Sequence, residues 1–211
     1  MASKRIDCEF AFVGLGCANC GADGLLGGTE VALAQGSRDV ASLVVGDQVL
    51  TLEHGVQHLQ DIQATDIWRH PGTCPNNVLP SYFPPGAIGN RVPLVLQDET
   101  MVALSCPSYA EKTGQPIALI RVADMDGFNG ATRFQPDAPA RLFVLKFAHE
   151  QVISVAGGAL VECPSAHGFL ALGEPDMGRR VTETDKGYPK LTRDQADVFL
   201  SCLEQDLAEK T

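Results

Sequence analysis

Short apolar runs of strand-forming residues constrain the fold of this chain more than any other feature. Six runs rich in Val, Ile, Leu and Phe are separated by clusters of Gly, Pro, Asn and Asp, a pattern typical of strands joined by turns. The runs are TEVALA (29–34), VASLVVGDQVLTL (40–52), RVPLVLQDETMVAL (91–104), QPIALIRVA (115–123), ARLFVLKFA (140–148) and EQVISVAGGALVEC (150–163). Because no helical pattern alternates with them, the sequence predicts an all-β fold.

One amphipathic helix is predicted at the carboxyl end. Thr192 and Gln195 have the spacing of a capping box. The apolar stripe that follows consists of Val198, Phe199, Cys202, Leu203 and Leu207. Such a stripe favours packing on the sheet over binding a partner. The chain therefore divides into an N-terminal arm (1–23), a β domain (24–190) and a C-terminal helix packed on that domain (191–211).

Composition excludes some classes of partner. The chain has 211 residues, which is long enough for one domain with its own core. Its formal net charge is -10. An acidic surface speaks against nucleic acid, whose phosphates are bound by Lys and Arg. No apolar stretch approaches the ~20 residues that span a bilayer, and no secretory signal peptide is recognised. We therefore predict no nucleic-acid partner, no membrane insertion, and a location in the cytoplasm or in a particle assembled there.

The cysteines suggest thiols more than disulfides. The seven cysteines are odd in number and irregularly spaced, which fits a reducing compartment. Cys17 and Cys20 have the spacing of half a zinc site, but a complete site needs two more ligands. Cys8, Cys74 and His70 supply them only if the fold brings them together. Buried thiols are favoured, structural zinc on Cys17 and Cys20 is the weaker alternative, and no cofactor is predicted.

Three other polar clusters have plain structural interpretations. His54 and His58 lie four residues apart, but an intervening glycine and the strand context favour a turn over a metal site. The segment DMDGFNG (124–130) lacks the ladder of oxygen ligands of a calcium loop, so a turn is predicted. Asp98 and Glu99 are adjacent on a predicted strand, so their side chains point to opposite faces and do not share an acid–base site.

Three blocks resemble the Hint (hedgehog/intein) superfamily, in particular its bacterial Hint-type domains. The opening block is GGTEVALAQGSRDVASLVVGDQVLTLEHGVQ (27–57), with a tight bend predicted at Gly46-Asp47 between two strands. The central block is PPGAIGNRVPLVLQDETMVAL (84–104) and the late block is LFVLKFAHEQVISVAGGALVECPS (142–165). The tail 187–203 is also similar to the end of these bacterial members. The resemblance implies a compact horseshoe of short strands with a C-terminal amphipathic helix.

The resemblance also implies a self-processing reaction, and the residues for it are missing. In active relatives, a Cys or Ser at the first position attacks the preceding carbonyl, and a Thr-x-x-His in the central block assists the leaving amide. The first position here is Gly24, and Leu96 and Glu99 stand at the Thr and His positions. Cys20 and Cys17, four and seven residues before Gly24, are the nearby cysteines that could replace the missing nucleophile. Catalysis tolerates little displacement of a nucleophile, which speaks against both.

The sequence therefore predicts a non-catalytic Hint-fold module, not an enzyme. It would be a structural or protein-interaction component of a bacterial or phage-like assembly, with a protein partner or self-assembly. Its expected interaction face combines the arm (2–22) with the Pro-rich loop (71–85), which is long for a simple connector. Two alternatives stay open: residual self-cleavage with Cys20 or Cys17 as the nucleophile, and a zinc-stabilised binding module.

Overall fold

The fold is built from two antiparallel sheets and a C-terminal helix, as the sequence predicts. A computed structural model describes residues 23–69, 72, 74, 76–166 and 187–209. The strands in chain order are β1 (Leu25–Leu26), β2 (Glu30–Leu33), β3 (Gly36–Asp39), β4 (Gln48–Thr51), β5 (Gly55–His58), β6 (Asp61–Ile67), β7 (Ser81–Phe83), β8 (Leu94–Leu96), β9 (Met101–Ser105), β10 (Ile117–Arg121), β11 (Thr132–Arg133), β12 (Ala140–Lys146), β13 (Gln151–Val155) and β14 (Ala159–Cys163). The helices are α1 (Pro107–Thr113) and α2 (Arg193–Ala208).

The two sheets enclose a shared core. The six-stranded sheet has the order β11-β7-β8-β1-β12-β6, and the eight-stranded sheet has the order β10-β9-β14-β13-β2-β4-β5, with β3 paired to β2. Leu25 and Leu96 of the first sheet belong to the same buried cluster as Val102, Ile153 and Val161 of the second. Full burial of each such side chain stabilises the fold by about 1.5–3 kcal/mol, so this contact joins the sheets.

The bend at Gly46-Asp47 is present, with a strand on one side only. Gly46 has a φ of +93°, and the Asp47 carboxylate accepts a hydrogen bond from the Val44 backbone N–H at 2.8 Å. β4 begins directly after the bend, whereas Val44 and Val45 lie outside any strand and are 60% and 61% exposed. The predicted strand before the bend is therefore wrong: these valines face solvent.

The predicted Pro-rich loop (71–85) is partly a strand. β7 lies within it and pairs with β8 and β11. Ser81 and Phe83 are buried on one face while Tyr82 is exposed on the other, which is the two-residue alternation of a strand. Three residues between prolines are too few for that period to be recognised in the sequence.

Helix α2 begins as predicted and buries most of the predicted stripe. The Thr192 backbone N–H donates to the Gln195 side-chain oxygen at 3.0 Å, one half of the capping box. Its buried side chains are Ala196, Phe199, Leu200 and Cys202, while Val198 and Leu207 are exposed. Leu203 of the predicted stripe also packs against the core. α2 packs on α1 as well, where the Tyr109 and Phe199 rings meet at 4.9 Å. Within the described residues, no helix is long and apolar enough to cross a membrane.

Two loops from different sheets cross at a pair of glycines. The turn between β13 and β14 meets the loop before β8, where the Arg91 N–H donates to the Ala156 carbonyl at 2.8 Å. A Cβ on Gly158 would overlap the Gly89 carbonyl oxygen. The buried Asn90 side chain fixes this loop by donating to the Pro84 and Val92 carbonyls. Backbone contact at this crossing therefore requires glycine.

We expect Gly158→Ala to lower the free energy of unfolding by about 3 kcal/mol, since overpacking against rigid backbone is not relieved by a rotamer change. Urea denaturation measures the loss. Gly27→Ala is the matched control, because its added carbon would lie at an ordinary 3.6 Å from Phe143. Equal stability of the two variants would show that the crossing is loosely packed.

Candidate functional site

Gly24, at the position of the missing nucleophile, lies in close contact with strand β12. It directly precedes β1 and has a φ of +144°, a backbone conformation that residues with a side chain rarely adopt. A Cβ built on Gly24 would lie 2.8 Å from the Phe143 carbonyl oxygen and 3.1 Å from Leu142 Cγ. The backbone at this position therefore has no room for a Cys or Ser side chain.

Leu96, at the position of the family's Thr, lies beside the start of the domain. β8 pairs with β1 so that Leu96 is opposite Leu25, the residue after Gly24. On the other side Leu96 is opposite Ser81. The fold thus keeps this position near Gly24, but the Leu96 side chain is fully buried in the main core. It contributes packing and has no hydroxyl to orient a base.

Glu99, at the position of the family's His, belongs to a surface ion pair. The turn that places it is closed by a hydrogen bond from the Thr100 N–H to the Gln97 carbonyl at 3.1 Å. The Glu99 carboxylate lies 3.3 Å from the Arg121 guanidinium, and its side chain is 50% exposed. Ionised Glu paired with Arg is a poor proton donor to a leaving amide.

The neighbouring Asp98 points inward, but Asp98 and Glu99 lie in the turn after β8 and not on a strand, so the predicted strand at this pair is wrong and their orientations come from the turn. Its side chain is 4% exposed and lies 2.9 Å from the Arg133 guanidinium. Burial raises the pKa of the Asp98 carboxyl, and the positive charge of Arg133 opposes that rise. The sequence gives no indication that Arg133 pairs with Asp98, because the two are 35 residues apart along the chain and Arg133 lies in a segment predicted to be a turn.

Several buried polar groups surround this ion pair. Within the described residues, four side chains in this region have buried atoms without a hydrogen-bond partner in the protein: Ser81, Gln97, Thr100 and Arg133. Ser81 lies opposite Arg133 in the sheet, and Gln97 and Thr100 flank Asp98 and Glu99. Ordered water commonly satisfies such groups. The region between β8 and the edge strand β11 is therefore a polar interior built around an ion pair.

Three of the four described cysteines are buried thiols. Cys106, Cys163 and Cys202 are buried and form no disulfide. Burial raises the pKa of the Cys106 and Cys163 thiols, which disfavours the reactive thiolate. Cys17 and Cys20, the fallback nucleophile and zinc candidates, lie outside the described residues, as do Cys8 and His70.

The histidine pair and the acidic turn have structural partners. His54 Nδ1 lies 3.0 Å from Gln151 Oε1, whereas His58 Nδ1 lies 3.1 Å from the Gly46 carbonyl oxygen. In the segment 124–130, the Asp124 carboxylate binds Arg121. Within the part of the chain that the structure describes, no group of three or more His, Cys, Asp or Glu residues is arranged to hold a metal ion.

Comparison with known proteins identifies the family. A family model described as the Hint domain matches residues 24–165, most of the chain, which therefore belongs to this family. No curated protein matches the chain.

Several solved inteins have a similar fold. A splice-inactive variant of the AceL NrdHF class 3 split intein matches at 13% identity, with a TM-score of 0.46, over 68% of this chain and 99% of that one. An intein-like domain from Clostridium thermocellum matches at 9% identity, with a TM-score of 0.45, over 66% and 98%. The gp41-1 intein matches at 10% identity, with a TM-score of 0.37, over 68% and 99%.

We expect Arg133→Met to destabilise the protein by on the order of 3 kcal/mol near pH 7, because it leaves the buried Asp98 carboxylate without its counter-charge. The raised pKa of Asp98 rises further in this variant. Since the folded state then holds a proton that the unfolded state has lost, stability increases as the pH falls through the folded-state pKa. Urea denaturation at about pH 7 and about pH 5 should show a smaller loss at the lower pH.

Glu99→Gln is the control for Arg133→Met, since it breaks the adjacent but exposed ion pair and should lower stability by less than about 1 kcal/mol. A loss in Arg133→Met that does not change with pH would contradict the assignment to Asp98.

Proposed function

We propose that this Hint domain is a non-catalytic module that binds other proteins, as a structural component of a bacterial or phage-like assembly in the cytoplasm. The backbone geometry of Gly24 carries the proposal. Self-processing needs a thiol or hydroxyl on the residue after the scissile bond, and Gly24 supplies none. A side chain there would have to displace β12, because the nearest atom is the Phe143 carbonyl oxygen of that strand.

The positions that assist the reaction support the same conclusion. Leu96 is part of the core and Glu99 is paired with Arg121. Neither side chain supplies the neutral donor or the positioned base that general acid–base catalysis requires. All three positions of the family's machinery are thus committed to packing or to ion pairs.

The surface supports a role in binding. Five of the large apolar side chains exposed in the described residues lie in one short stretch of the chain, from just before the Gly46-Asp47 bend into strand β5. They are Val44, Val45, Leu50, Leu52 and Val56, with exposed fractions of 39–61%. Clustered exposed apolar side chains, unlike scattered ones, are typical of interaction sites. We therefore place the binding surface here in addition to the arm (2–22) that the sequence suggests.

Intact mass spectrometry of the purified protein, before and after incubation with excess thiol at neutral pH, tests the absence of self-cleavage. Free thiol intercepts a thioester, so an active domain would be cut near Gly24. We expect the full 22.5 kDa chain to persist. A shortened chain that disappears in Cys20→Ala or Cys17→Ala would assign the reaction to that cysteine and contradict the proposal.

A further inference from the structure

We propose that strand β5 pairs with β5 of a second copy of this chain, so that two eight-stranded sheets join across a twofold axis. The inference rests on the proposed function, because it names the partner of the binding surface. It concerns an edge strand, and an unprotected edge strand is a template for pairing with another chain.

The other edges of the described sheets are protected. β10 is covered by the chain itself, since the Leu119 N–H donates to the Pro189 carbonyl and the Leu191 N–H donates to the Leu119 carbonyl, both at 2.9 Å. β6 carries Asp61 and Asp66. β3 carries the charged pair Arg38 and Asp39, and β11 has two residues, one of them Arg133. Coverage, charge and short length all block edge-to-edge pairing.

Strand β5 has none of these forms of protection except its modest length. Its four residues, Gly55 to His58, include no Asp, Glu, Lys, Arg or Pro. It pairs with β4 on one side and is the last strand in the order of its sheet. Gly55, Val56 and His58 are exposed. The Gln48 carbonyl accepts from the Ala34 N–H on the β2 side, so the next residue of β4 faces β5. In the β4–β5 register this turns the backbone groups of Val56 and His58 outward, where another strand can reach them.

Apolar side chains line this edge. Leu50 and Val56 are directly opposite each other in the β4–β5 ladder, and they are 39% and 42% exposed. Both point away from the core, because Val49, the residue before Leu50 in β4, is fully buried on the opposite face. A strand added to β5 would cover this pair and gain cross-strand contacts with it.

Low local charge permits a second copy as the occupant. Two chains of formal net charge -10 repel each other over most of their surfaces. Between Leu50 and His58 the only charged residue is Glu53, which accepts a hydrogen bond from the Tyr188 hydroxyl. The hairpin is therefore an edge at which two copies meet with little charge repulsion. Antiparallel pairing centred on Val56 places the Val56 side chains of the two copies opposite each other at the twofold axis, with Gly55 of each copy opposite Gln57 of the other.

Sedimentation velocity of the full chain from about 5 μM to about 500 μM tests the pairing, because so short an interface gives a weak, concentration-dependent dimer. We expect the dimer fraction to rise over this range in wild type. In Val56→Lys, which places two like charges at the twofold axis, dimerisation should weaken by about tenfold or more. Slower amide exchange of Gly55 to His58 at high concentration would confirm pairing through the strand edge.

Val198→Lys is the matched control. It adds the same charge at an exposed valine on α2, so any general effect of a less negative chain is equal in the two variants. Because Val56 is exposed, its substitution should leave the circular dichroism spectrum unchanged, and Leu50→Lys serves as a second variant of the same surface.

A wild-type monomer at every concentration overturns the inference. Dimerisation equal in wild type, Val56→Lys and Leu50→Lys also overturns it. Intact mass of the same samples separates this result from the proposed function. An uncut monomer removes self-pairing and leaves the non-catalytic module standing, whereas a cut chain contradicts the module itself.

Discussion

The close approach of Gly24 to the Phe143 carbonyl is the constraint on which the six-stranded sheet depends. β1 has only two residues, yet it joins β8 to β12 in the centre of that sheet. A side chain at Gly24 would push β1 away from β12, and Leu25 would lose its place between Leu96 and Phe143. The sheet can therefore continue through β1 only because residue 24 has no side chain. The residue that closes the sheet is also the residue at which the family's reaction would begin.

The positions predicted for the two assisting residues have structural partners. The position of the family's Thr is a leucine of the core, and that of its His is a glutamate held by Arg121. Between them Asp98 forms a buried ion pair with Arg133. A buried pair of this kind adds little net stability, but removing one partner is strongly destabilising.

Much of this could be predicted from the sequence. The apolar runs separated by turn residues indicate the two sheets, and the family blocks bring Leu96 beside the start of the domain. The sequence did not reveal β7, which is too short to show a period, or α1, whose signals are Pro107 at its first turn and Gly114 in the left-handed conformation at its end. In α2 the prediction was wrong for Val198 and Leu207, which are exposed. The ion pair of Asp98 with Arg133 depends on how β8 and β11 flank β7, which spacing along the chain does not encode.

The measurement that tests the central claim most directly restores the missing groups. A variant with Gly24→Cys, Leu96→Thr and Glu99→His carries all three of the family's residues in this fold. If the backbone at position 24 excludes the reaction, intact mass spectrometry with excess thiol will find this folded variant uncut. A fragment beginning at residue 24 would show that the site was open and lacked only its side chains, which would contradict the exclusion of the reaction by the Gly24 backbone.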